Sequence, residues 1–303
     1  MRHDTGPSLG DGPEAAVAAA QAGAVPGTRA SNPLWNAVLL AATLVTTTWA
    51  GAWHLGVDLR QEPGRWLVGA PYALALLTIL GIHELGHYMI ARRRGIHVTL
   101  PYFIPAPGYL GTFGAFIQMR GVVRDRATYF DVAIAGPLAG LVAAVLALLV
   151  GLGAETPAAH GGIVPASSSF FAAVYTLAGG DSLWQPVVLG PLAFAGYLGL
   201  VVTALNLAPI GQLDGGHIAY GLLGARRAKA LATAVIFLLV AGGLLFASHW
   251  LMWGLIAWFI AGTGHPAAQD DAAPIGPWRT LLGLVALAIL IAIVLPWPRL
   301  GVV

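Results

Sequence analysis

The sequence predicts an all-α polytopic membrane protein, on three observations. Of 303 residues, 57% are hydrophobic and only 9% are charged, against about 25% charged in a soluble domain. Mean hydropathy is +0.77. The apolar residues also gather into runs close to the ~20 that a spanning helix needs. Six or seven transmembrane helices are expected, one of them broken at membrane depth, with a short strand-like or re-entrant loop.

Residues 1–30 are rich in Gly, Ala and Pro with scattered charges, and lack the basic stretch and apolar core of a signal peptide. They read as a disordered N-terminal tail, and residues 31–303 as one membrane-embedded domain. The expected spans are Leu34 to Leu55, Leu67 to Ala91, Val132 to Leu152, Val187 to Leu207, Ala230 to Ser248, a short one from Leu251 to Gly262, and Leu281 to Leu295. The sixth is short for a full crossing and reads as re-entrant or as a span thickened by Trp253 and Trp258. Between the second and third, Thr112 to Gln118 reads as a short strand.

Basic residues set the orientation. Arg92, Arg93, Arg94, Arg120, Arg124 and Arg126 follow the second span, and Arg226, Arg227 and Lys229 follow the fourth; the stretch from Gly153 to Pro186 has neither Lys nor Arg. The first two loops are therefore expected in the cytoplasm and the third outside. Arg60 and Arg65 fall on the outer side and run mildly against this pattern. Short basic clusters beside apolar segments are not the basic face that nucleic-acid binding requires, so no nucleic acid is expected as a partner. There is no Cys, which excludes disulfides and thiolate metal sites.

Inside the second span lies "HELGH", His83 to His87. Residues four apart on a helix stack on one face. Two imidazoles so placed can reach one ion, with Glu84 beside them as a general base: the H-E-x-x-H pattern of zinc-dependent hydrolysis. With nine histidines in the chain, chance gives this pattern in only about 0.3% of such sequences. A polar packing seam, the plainer reading, needs only one histidine.

Two histidines leave a catalytic zinc one protein ligand short. Glu84 and Asp214 are the acids set well within apolar surroundings. Asp214 lies in "NLAPIGQLDGGHIAYG", Asn206 to Gly221, where Pro209, Gly211, Gly215 and Gly216 interrupt the helix. Broken helix at membrane depth is tolerated only where it is buried in protein or lines a cavity. A polar pocket is therefore expected at Asp214, and a zinc ion held by His83 and His87 would serve as its cation partner. His217 stands close enough to compete as a ligand, with a loop or outer-shell place as its plainer reading.

These motifs resemble the site-2 protease family of intramembrane zinc metalloproteases. "HELGH" is similar to that family's zinc motif, and "NLAPIGQLDGG", Asn206 to Gly216, to its second motif. "GTFGAFIQMR", Gly111 to Arg120, and "DVAIAGPLAG", Asp131 to Gly140, resemble the branch that lacks a PDZ domain and carries a glycine-rich loop, with cyanobacterial and chloroplast members. The resemblance covers roughly residues 67–266. It implies one Zn2+ per chain held by His83, His87 and Asp214, Glu84 as the base, and Asn206 as a donor to the oxyanion. It makes residues 31–303 a protease domain, with transmembrane proteins of the bilayer as substrates.

The implied reaction is hydrolysis of a peptide bond in or near a transmembrane segment, with the site nearer the cytoplasmic side of what is expected to be a bacterial cytoplasmic membrane. The substrate must unwind, and an exposed strand at Thr112 to Gln118 could pair with it. Two other readings stand beside this one: a metal or proton transporter, which would scatter such groups along several spans, and an inactive homologue that binds membrane proteins without cutting. Oligomeric state is not legible.

Overall fold

The computed structural model describes residues 32–120, 123–154, 162–164, 168–180, 187–245, 248–265 and 268–295. The expected tail, residues 1–30, lies outside them. The chain is mostly helical, and five helices are long and apolar enough to cross a membrane.

The first, α1 (Pro33–His54), starts at a cap where the Asn32 side chain accepts from the Leu34 amide at 3.1 Å. A 3-10 turn (Pro63–Gly69) leads into α2 (Ala70–Arg93), which carries "HELGH" and ends in Arg92 and Arg93. Four short strands follow: β1 (His97–Val98), β2 (Tyr102–Pro105), β3 (Thr112–Phe116) and β4 (Met119–Arg120). β2 pairs antiparallel with β3, with Tyr102 opposite Phe116 and Phe103 opposite Ala115; β1 pairs with β4, His97 opposite Arg120. Together they form one interrupted hairpin that runs out and back along α1. The expected strand at Thr112 to Gln118 is β3, which ends at Phe116.

Helix α3 (Arg126–Ala154) is the central span. It packs on α2 and on α5 (Pro191–Leu207). Small residues set these crossings: a Cβ on Gly86 would stand 2.6 Å from the Ala135 carbonyl oxygen, and one on Gly196 2.6 Å from the Leu148 nitrogen. Leu76, Leu80, Ala144, Leu148 and Leu200 fill the core between the three helices.

Two expected spans differ in their bounds, the fourth shorter and the sixth slightly longer than expected. The fourth does not begin at Val187, because residues 187–189 form a strand, β6, paired with β5 (Gly162–Val164). The helix starts at Pro191, whose missing N–H costs nothing in a first turn. The sixth segment is a 14-residue helix, α8 (Ser248–Ala261), packed against α7 (Ala225–Leu245). The stretch before β6, read as a loop, also holds a short helix, α4 (Ser169–Leu177), capped by Ser168 and seated by the buried Phe171. The last helix, α9 (Pro277–Val294), is fastened to α2 and α3 by charge. Asp131 of α3 accepts two bonds from Arg279, at 2.6 and 2.9 Å, and pairs with Arg94 at the end of α2.

Candidate metal centre

Helix α2 places His83 and His87 about one turn apart with Glu84 next to His83, and all three side chains are buried. Asp214 arrives from the other motif. The chain leaves helix at Leu207 and resumes at Asp214, the first residue of α6 (Asp214–Leu223). The glycines after Asp214 explain how it gets there. A Cβ on Gly215 would lie 2.0 Å from the Leu207 carbonyl oxygen, and one on Gly216 2.1 Å from that of Gly211. Only glycine lets the first turn of α6 fold back so tightly on the connection before it.

The two imidazoles and the carboxylate converge. His83 Nε2 and His87 Nε2 are 3.1 Å apart, and each stands 3.3 Å from Asp214 Oδ2. Ligand atoms about 2.0–2.1 Å from one tetrahedral ion stand about 3.3 Å from each other. The three atoms therefore fit a zinc-sized ion without rearrangement. Among the described residues no other group of three such side chains comes together. His87 Nδ1 bonds the Val132 carbonyl at 2.8 Å, so Nδ1 carries the proton and Nε2 offers its lone pair toward the ion.

Asn206, in the last turn of α5, has its amide nitrogen 3.5 Å from His83 Nε2. On the other side, the backbone of Ile117, just past β3, lies near the Glu84 carboxylate. His217 is not one of the three converging side chains. Its Nδ1 meets His265 Nε2, and its ring stacks on Tyr129.

Sequence reasoning missed what lies beneath the imidazoles. "AGPLAG" reads as helix packing through small residues. In the structure a Cβ on Gly136 would stand 2.1 Å from His87 Nε2, and one on Gly140 3.0 Å from His83 Nδ1. The two glycines are a floor on α3 that the two imidazole rings lie against. The signal was their spacing of four, which matches that of the histidines.

Among known proteins, the Peptidase family M50 pattern matches residues 71–248, which is 178 of the 303. The chain is 34% identical over 237 residues to Probable zinc metalloprotease EGY2, chloroplastic, of Arabidopsis thaliana, covering 76% of this chain and 42% of that protein. It is 36% identical over 244 residues to Probable zinc metalloprotease EGY1, chloroplastic, of the same plant, covering 76% and 44%. The rice (Oryza sativa subsp. japonica) EGY1 protein is 32% identical over 244 residues, covering 76% and 41%. The chain thus spans less than half the length of these relatives. No solved structure matches it. Since the family pattern takes in every element around the triad, from α2 to α7, the chain belongs to peptidase family M50, the site-2 protease family that its motifs resemble.

Proposed function

We propose that this chain is a zinc-dependent intramembrane endopeptidase that cuts transmembrane segments of other proteins. The observation that carries this reading is the convergence of His83, His87 and Asp214 at tetrahedral-edge distances beside a buried glutamate. Their meeting at one point, rather than along a path, favours hydrolysis over transport.

His83, His87 and Asp214 hold the metal, with His87 oriented by Val132. Zinc, when bound, supplies Lewis acidity that acidifies water and polarises a carbonyl. Glu84 takes the proton of the attacking water and passes it to the leaving amine. The Asn206 amide, aimed into the same space, donates to the developing oxyanion.

An unwound substrate needs a partner for its backbone. Among the described residues β3 pairs with β2 alone, which leaves its other edge open, and β3 runs directly into Ile117 beside Glu84. A strand added there would be led past the base. The exposed Phe113 and Phe116 on this strand offer apolar contact. By the arginine bias the site lies nearer the positive face, which is cytoplasmic in a bacterial membrane. The named relatives are chloroplast proteins; the arginine bias argues a side of the membrane and not an organism.

The test uses purified full chain in lipid vesicles with β-casein as a generic unfolded substrate. Cleavage is expected to stop with a zinc chelator and to return with added zinc. Glu84→Gln is expected to lower the rate by about 10²–10⁴-fold with bound zinc unchanged. Full activity in Glu84→Gln would refute the assignment of the base.

A further inference from the structure

The hairpin that carries β3 is held from end to end by side chains of α1. The Asn36 amide donates to the carbonyls of Leu100 and Pro101, at 3.1 and 2.9 Å. The Thr46 hydroxyl has three carbonyls within reach, and the nearest is Gly111 of the hairpin at 2.6 Å. His54 Nε2 bonds the Tyr109 carbonyl at 2.7 Å, which makes Nε2 the protonated nitrogen. Tyr72 of α2 adds a bond to the Leu110 carbonyl at 3.0 Å. At the tip, Gly111 (φ +77°) is pressed against α1 so closely that a Cβ would stand 2.5 Å from Thr47 Cα.

Every one of these bonds ends on a backbone carbonyl. These hydrogen bonds therefore do not depend on the hairpin's side chains. Asn36 and His54 are eighteen residues apart on one helix, about 27 Å along its axis, close to the ~30 Å of a hydrocarbon layer. The two fastenings are thus separated by about the thickness of a hydrocarbon layer. Within such a layer a carbonyl without a donor is costly, so release at any one point is opposed. The His54 ring is enclosed by Tyr72, Tyr109 and Phe194, with centroids at 4.7, 4.4 and 4.9 Å.

At its other end β3 packs against α2, the helix that carries Glu84, and brings the Ile117 backbone near that carboxylate. The strand is thus stretched between a fixed tip and the base. A slip of one residue would move its open edge by about 3.3 Å and turn its side chains to the opposite face. The geometry points to Thr46 and His54 of α1, assisted by Asn36, as positioning residues that set the register of the substrate-pairing strand against Glu84. Helix α1 lies outside the residues matched by the family pattern. This inference rests on the reading that substrate pairs with β3.

The chain has no Cys, so two cysteines can be placed at will for spin labels. Phe113→Cys on β3 and Met89→Cys on α2 are both exposed and report the hairpin's distance from the helix that carries Glu84. Double electron–electron resonance on the full chain in vesicles should give one narrow distance distribution. Thr46→Val with His54→Leu should broaden or shift it, and Thr46→Ser with His54→Gln should restore it, with zinc content equal in all three. In unlabelled protein the first pair should lower kcat/KM on β-casein by about tenfold to a hundredfold, and the second should recover it. If the double variant does not fold, Thr46→Val alone is read in the same way. An unchanged distribution in the apolar variants overturns the positioning role of α1. A broadened distribution with unchanged cleavage overturns strand pairing itself, and this inference with it. Absence of cleavage by the parent chain counts against the peptidase reading, while the label distances still decide whether α1 sets the hairpin.

Discussion

Gly136 is a more searching test of the site than any of its ligands. A ligand variant removes a donor atom, whereas Gly136→Ala leaves all three in the chain and takes away only space. Its methyl would overlap His87 Nε2, so the ring must swing off the position that closes the triad. Gly136→Ala is expected to lose most bound zinc while the protein stays folded, as measured by metal analysis beside a far-ultraviolet circular dichroism spectrum. Retained zinc would show that the floor can give way. The pairing of His83 with His87 was legible in the sequence, because a spacing of four on a helix is a local property. So was Asp214, through the clustered Pro and Gly around it. The floor was not, since nothing local to Gly136 tells which side chain from another helix will lie on it. The hydrogen bond between His87 and Val132 was invisible for the same reason: it is made by a backbone carbonyl, and every residue has one.

At the scale of elements, β3 carries the substrate hypothesis and can be tested without touching the metal. Ala115→Pro removes one backbone donor from β3 and constrains its φ. Cleavage is expected to fall sharply with zinc retained; unchanged cleavage would count against strand pairing. A second prediction concerns Asp131, which joins α2, α3 and α9 through Arg94 and Arg279. Asp131→Ala leaves two guanidinium groups facing each other, and should lower stability by about 1–3 kcal/mol, read as a lower unfolding temperature in detergent. An unchanged temperature would mean that packing alone holds α9. Hydropathy alone gave the longer helices. It misplaced the start of the fourth because Val187–Leu189 is as apolar as the helix it precedes, and only its pairing with residues 162–164 reveals a strand. It also passed over α4, a helix of nine residues, too short to show as a span.

Across the whole molecule, the fold is a means of bringing two broken places together inside an apolar body. One is the hairpin, an excursion of strand between two helices; the other is the turn between α5 and α6. Each is a place where backbone leaves helix, and each is covered: α1 supplies donors to the first, and glycines let the second close on itself. The metal centre lies where these meet α2 and α3. The central claim is that this centre is a three-ligand zinc site, and metal content of the purified full chain tests it most directly, with no substrate required. The account predicts about one zinc per chain in protein prepared without chelators, and its loss in both His83→Ala and Asp214→Ala. A well-folded parent chain without zinc, or an Asp214→Ala variant that keeps it, would contradict the account.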